Sequence, residues 1–200
     1  MVSAGEIKRL EGGDMSSEQL KAIIASYWRY VRQCPVIALE VSSNLSAYAD
    51  EERADVLAVD KKRFLIETEV KITLTDLRRD AKKSKHRAFR ENLPGRVAHH
   101  FYFAVPRDIA NEARLICDNL YPYAGVLGVD GTDEYGVQIY HNPKPLASKR
   151  LTFPQVLRII FNQSGTVCRL AKKVEELGRV QKNLEEQLKE YRDLKKLQGG

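Results

Sequence analysis

The chain has 200 residues, 43% hydrophobic and 30% charged, with a formal net charge of +6. That is enough for one domain with a buried core and an appendage, and the balance excludes a disordered chain. No apolar run approaches the roughly 18 residues of a membrane span, the opening MVSAGEIKRLEGG lacks a signal peptide's apolar stretch, and Cys34, Cys117 and Cys168 lack any CxxC spacing, so a cytoplasmic protein with reduced thiols and no membrane partner is expected.

In chain order, residues 1–15 read as a flexible Gly-rich and polar tail, 16–165 as the main domain, and 166–200 as a helical tail of a different kind. A helix is predicted over 17–33. Ser16 and Gln19 form a capping box there, and Leu20, Ile23, Ile24, Tyr27 and Val31 fall on one face. Val36–Val41 fits a strand, 42–52 a polar connection, and Arg53–Asp60 with Phe64–Ile72 a hairpin. Thr73 caps a helix running to Arg90, with Asp76 as the capping acid. Val97–Val105 is a strand, Pro106–Asn119 a helix, and 124–129 with 136–140 two short strands. His99 and His100 adjoin in a strand and are read as structural. Tyr121 and Tyr123 flank Pro122 and are read as loop anchors rather than base-stacking groups.

Phe153–Phe161 is predicted as a short apolar helix. From Thr166 on, Leu170, Leu177, Leu184 and Tyr191 repeat every seven residues, as do Val174, Gln181, Leu188 and Lys195. This a/d pattern predicts a coiled-coil-like helix of roughly 45 Å and a homo-oligomer through residues 168–197. The alternative is an amphipathic helix folded back on the domain.

Segment 71–90 holds eight Lys or Arg against two Asp, an excess equal to that of the whole chain. Such a concentration points to a polyanionic partner such as nucleic acid, with a solvated helix face as the even alternative. Arg79, Lys82, Lys83, His86 and Arg90 recur at three- and four-residue spacing, which predicts one nucleic-acid-binding stripe on a single helix.

The stripe follows a hairpin with an acid near the start of its first strand, Asp55, and an acid and a lysine near the end of its second, Glu69 and Lys71. In an antiparallel hairpin those ends meet, and Glu69 and Lys71, two apart, share a face. Pairing Val59 with Phe64 would set Asp55 against Thr68. Setting Asp55 opposite Glu69 shifts the register by one and calls for an odd-length loop or a bulge.

Two carboxylates and the Val70 backbone carbonyl suit Mg²⁺ or Mn²⁺, hard cations that take oxygen ligands. Such an ion polarises a phosphate and acidifies a bound water, and Lys71 beside it would stabilise the transition state. A solvated hairpin face with an incidental ion pair is the alternative. It sits poorly with charge at the end of an apolar strand.

The order helix, strand, hairpin, helix, strand, with RADVLAVD, ETEVKITLTDLRRDAKK, HHFYFAVP, YAGVLGVDG and SKRLTF, resembles the PD-(D/E)xK nucleases. It is similar in particular to the MmcB-like DNA-repair nuclease family, over roughly 36–160. The resemblance implies an α/β fold with a restriction-endonuclease-like core: a central mixed sheet flanked by helices, here followed by the C-terminal helix. It also implies metal-dependent phosphodiester hydrolysis and makes Glu40 in IALEVSS a further candidate ligand. The chain departs from the pattern at Ala54, where Pro is usual, at Ile72-Thr73, where Ser follows the lysine, and at Lys83-Ser84-Lys85, where an aromatic is usual.

The expected function is a Mg²⁺-dependent DNA endonuclease serving repair, recombination or defence, with Asp55, Glu69 and Lys71 as its catalytic core. The alternatives are a Holliday-junction-resolvase-like enzyme, which requires a dimer, and a non-catalytic nucleic-acid-binding or coiled-coil scaffold.

Overall fold

The computed structural model describes residues 15–42, 53–91, 98–147 and 149–198. The expected tail 1–15, apart from Met15, and nearly all of the connection 42–52 lie outside them. The chain divides into two compact units, Met1–Ile160 and Phe161–Gly200.

The first unit is a six-stranded mixed sheet with strands in sequence order. β1 (Val36–Ser42), β2 (Arg53–Val59) and β3 (Leu65–Val70) are antiparallel neighbours. β4 (His100–Pro106) and β5 (Gly125–Val129) continue in parallel, and β6 (Val137–His141) closes the far edge antiparallel. The α/β class and the mixed, helix-flanked sheet are as expected.

Each face of the sheet has its own core. Leu20, Ile24, Tyr27 and Trp28 cover Val56, Ala58, Ile66, Val70, Tyr102, Ala104 and Leu127 on one side. On the other, Phe101, Phe103 and Val105 pack with Leu77, Phe89, Ala113, Cys117, Tyr121 and Tyr123. A third cluster joins Leu57, Val59 and Leu65 to Leu151, Val156 and Ile159.

α1 (Ser17–Ser26) starts with the expected capping box. Ser16 N–H donates to Gln19 Oε1 at 2.9 Å, and Gln19 N–H to Ser16 Oγ at 3.2 Å. The helix then widens into a π turn over Tyr27–Val31. The wider turn changes which side chains face inward: Trp28 is buried, and Val31, expected on the buried face, is exposed.

The segment after β3 is two short helices rather than one. α2 (Leu74–Asp80) is capped by Thr73, whose Oγ1 accepts from Asp76 N–H at 3.1 Å. α3 (Ser84–Arg90) follows extended Lys83. A 3₁₀ turn, Arg107–Ile109, leads into α4 (Ala110–Leu120).

α5 (Phe153–Gln198) is one 46-residue helix where a short helix and a separate tail were expected. The residues Asn162-Gln163-Ser164-Gly165 contain no proline, and a lone helical glycine costs only about 1 kcal/mol. In the second unit, described by itself, Leu170, Val174, Leu177, Leu184, Leu188 and Tyr191 are all exposed. No helix among the described residues is long and apolar enough to cross a membrane.

Candidate active site

The β2–β3 hairpin sets the site. Its loop runs from Asp60 to Phe64, five residues, with Asp60 N–H donating to Phe64 O and Arg63 N–H to Asp60 O, both at 3.0 Å. Arg63 takes a left-handed conformation (φ 66°), as the last of the three residues, Lys61–Arg63, between the closing pair Asp60 and Phe64 requires. Asp60 Oδ1 holds the loop by accepting from the N–H groups of Lys62 and Phe64, both at 2.8 Å. Val59 therefore pairs with Leu65 and Val56 with Thr68. That is the register that brings Asp55 level with Glu69, and it comes from an odd-length loop.

The ladder stops there because Asp55 replaces a main-chain partner: its Oδ2 accepts the Val70 N–H at 2.8 Å. On the other side, Leu39 pairs with Val56 and Val41 with Ala54. Glu40 falls between them, opposite Asp55. Glu40, Asp55 and Glu69 thus form a row across three strands. Glu40 has a half-exposed side chain and meets Lys21 of α1 at 2.6 Å, and Lys21 Nζ lies 3.8 Å from Asp55 Oδ1.

Glu67, Glu69 and Lys71 alternate onto one face of β3. Glu69 is 2% exposed, yet three ammonium groups reach it. Lys71 lies at 3.5 Å and Lys83 at 3.3 Å from Oε2, and Lys85 makes a short contact with Oε1. Lys85 also holds Glu67 at 3.0 Å. Lys71 is in turn bound to Asp80 at 2.6 Å, which Lys83 shares at 2.8 Å. Asp80 thus pairs with two lysines and with His86.

His86 is the clearest correction. Expected on the phosphate-binding stripe, it is fully buried. Its Nε2 lies 2.5 Å from Asp80 Oδ2 and its Nδ1 2.6 Å from the Tyr123 hydroxyl, and it is packed among Phe101, Phe103 and Tyr121. Tyr121 donates to Leu77 O at 2.5 Å, so both tyrosines are anchors, not base-stacking platforms. His99, whose Nδ1 accepts from Leu65 N–H at 2.9 Å, is likewise structural.

The stripe itself is broken with the helix. Arg79, Lys82 and Arg90 are exposed, while Lys83 and Lys85 turn inward to the acids. The main-chain break at Lys83, absent from a simple helical count, makes that turn possible.

Electrostatics separates the two core acids. Burial pushes the Asp55 carboxyl above its ordinary range, and the Glu69 charge pushes it further. Burial also raises the Glu69 carboxyl, but Lys85, Lys83 and Lys71 outweigh it and hold it below its ordinary range. Asp80 is held low as well, against burial, by its bonds to His86, Lys71 and Lys83. Burial keeps His86 below its usual value despite Asp80. Ionised Asp80 can only accept, so neutral His86 carries its proton on Nε2 and accepts the Tyr123 hydroxyl at Nδ1.

Among the described residues no three His, Cys, Asp or Glu side chains converge at metal-ligand spacing. The donors present nevertheless suit a hard cation. Asp55 and Glu69 offer oxygen atoms alone and repel each other, and lysine ammonium groups already stand in for positive charge beside them. Mg²⁺ commonly takes one or two carboxylates, with water and phosphate oxygens completing its shell. Asp55, Glu69 and the Val70 carbonyl remain the groups that would hold it, with Glu40 joined to them through Lys21.

Glu67, Lys85 and Lys21 join the site in the structure without having been expected there. Glu67 carried a signal, an acid two residues before Glu69 on the same strand face, and Lys85 carried another, a lysine in the segment where the family pattern departs.

Comparison with protein-family models and with curated proteins gives no match. Among solved structures the chain is similar to SPO1766 protein of unknown function from Silicibacter pomeroyi, at 18% identity and a TM-score of 0.52, over 80% of this chain and 90% of that one. The likeness is one of fold alone; in this chain that fold is an α/β arrangement of a six-stranded mixed sheet flanked by helices, followed by a long C-terminal helix.

Proposed function

We propose that the chain is a divalent-metal-dependent nuclease that hydrolyses phosphodiester bonds of DNA, with Asp55 and Glu69 holding Mg²⁺ or Mn²⁺ and Lys71 acting on the reacting phosphate. One observation carries this reading: the hairpin register brings the acid of β2 level with the acid of β3, with the lysine two residues on. The metal would supply phosphate polarisation and an acidified water. Asp55 and Glu69 orient that charge, and the Lys71 ammonium, fixed by Asp80, is placed to stabilise negative charge developing on the phosphate. Serving repair, recombination or defence is part of the same proposal.

Cleavage of plasmid, single-stranded and four-way-junction DNA with Mg²⁺ and with Mn²⁺ tests it. Absence of cleavage from all three, with nucleic acid still bound, would favour the non-catalytic scaffold. Selective cutting of the four-way junction would favour the resolvase-like reading, for which the exposed Leu and Val side chains of α5 offer a dimer seam.

Asp55→Ala is expected to weaken divalent-ion binding at least about tenfold, since one of two carboxylates is lost. Calorimetry on the folded variant reads this, and an unchanged affinity would remove Asp55 from the site.

Neutralising exposed Arg79, Lys82 and Arg90 together is expected to flatten the salt dependence of DNA binding by about 2 to 3 in log–log slope, at roughly 0.9 per phosphate contact. An unchanged slope would place the DNA surface elsewhere.

Deleting 168–200 is expected to turn an oligomer into a folded monomer, because six apolar side chains of the heptad face are exposed along that helix. Sedimentation of the full chain as a monomer would rule out the seam.

A further inference from the structure

We propose that Lys85 is an internal counter-cation of Glu67 and Glu69, and that a divalent ion enters as Lys85 leaves them for a phosphate of a polyanionic substrate, so that metal and nucleic acid bind cooperatively. This rests on the nuclease reading above. The two Glu69 oxygens are unequally occupied. Oε2 is shared by Lys71 and Lys83, whereas Oε1 is taken by Lys85. Departure of one side chain, Lys85, therefore vacates an oxygen, while freeing the other takes two departures.

The place Lys85 occupies is suited to a cation. Its side chain is 12% exposed, Glu67 lies 3.0 Å away, and the Phe101 ring centroid lies 5.6 Å from Nζ. Carboxylates so buried, 10% and 3% exposed for Glu67 and Glu69, are costly without positive charge beside them. In the absence of metal Lys85 supplies that charge. An ammonium and a divalent ion side by side on Oε1 would repel each other, so metal alone must push Lys85 aside without giving it a new partner. A DNA phosphate supplies the partner. By linkage the benefit is mutual: bound nucleic acid raises metal affinity by the factor by which bound metal raises nucleic-acid affinity.

The test titrates Mn²⁺ into the full-length chain and into Lys85→Met, with and without a phosphorothioate DNA duplex that resists hydrolysis, after subtracting metal taken up by the DNA alone. For the wild type, DNA is expected to tighten Mn²⁺ binding by at least about tenfold, within the usual range of such couplings. Lys85→Met is expected to bind Mn²⁺ tightly without DNA, and DNA should then add less than about threefold.

Equal Mn²⁺ affinity of variant and wild type without DNA, or a wild type indifferent to DNA, overturns the proposal while leaving the nuclease reading intact. Failure of both proteins to bind Mn²⁺ under any condition overturns the nuclease reading, and the role of Lys85 with it. Because Lys85→Met leaves two buried carboxylates facing each other, the Mn²⁺-dependent rise in Tm is read in parallel. A larger rise in the variant supports the exchange. Inability of Mn²⁺ to restore a fold lost in the variant overturns it.

Discussion

Lys71→Ala is expected to retain the fold, metal binding and DNA binding, and to lose cleavage by at least about a hundredfold, the scale seen when one transition-state donor is removed. The structure explains why the fold should survive. Lys71 shares both its partners: Lys83 also holds Asp80 and Glu69, and Lys85 also holds Glu69. No buried carboxylate is left bare. The proposed metal oxygens are untouched, and one competing cation is removed from Glu69. Metal titration, gel shift and cleavage, each measured on both proteins, separate the steps. A verified Lys71→Ala protein that cleaves as fast as wild type would refute the mechanism. A wild type that binds DNA without cutting it would refute the enzyme.

Asp80→Ala should act on stability instead, by about 3 to 5 kcal/mol, the cost of removing one partner from a buried ion pair. Lys71, Lys83 and His86 all lose an acceptor at once. That is a large share of the 5 to 15 kcal/mol typical of a domain. Exposed Arg87 and Glu91 form an ordinary surface pair, and Glu91→Ala, expected to cost no more than about 1 kcal/mol, is the control.

The pH dependence carries a sign of its own. His86 titrates in the folded state below its ordinary 6.5. The unfolded chain therefore takes up the proton first, and wild-type stability should begin to fall as pH drops below about 6.5. Asp80 and Glu69 titrate below their ordinary values of 3.8 and 4.5. Their contribution is present above those values and is lost as pH falls through the lower folded-state ones. A second decline is expected below about pH 4, shallower in Asp80→Ala. Denaturant midpoints between pH 3 and 8 read both stages. A flat wild-type profile from pH 7 to 5 would contradict a neutral, buried His86.

The hairpin was readable in the sequence because strand alternation is strict: once Asp55 and Glu69 are required to meet, an odd-length loop or a bulge must separate the strands. Which device supplies it was not readable. The left-handed position falls on Arg63, where glycine would have announced it. The break between α2 and α3 was hidden for a related reason. Ala81-Lys82-Lys83-Ser84 has no Pro or Gly, and local propensity favours continuing the helix. Tertiary contacts decide otherwise. Lys83 N–H bonds to Asp80 O at 2.9 Å, and the extended Lys83 sends its ammonium to Asp80 and Glu69. A six-residue separation such as Asp80 to His86 belongs to no helical face, so periodicity placed His86 among surface cations. The heptad spacing on α5 was visible in the sequence, whereas the continuity of that stretch with the helix at Phe153 depended on a single tolerated glycine, Gly165.

The π turn in the first helix leaves the protein with a built-in optical probe. The chain contains one tryptophan, and the wider turn brings it, Trp28, to 2% exposure against the sheet. Its indole N–H donates to Thr68 Oγ1 at 3.1 Å. Thr68 sits between Glu67 and Glu69, with its side chain on the opposite face of the same strand. All tryptophan emission therefore originates one strand's thickness behind the acidic residues, without a dye or an engineered label. Displacement of β3 on cation loading would change the colour or yield of that emission, and Thr68→Val, which removes the indole's acceptor, would shift the baseline from which the change is read.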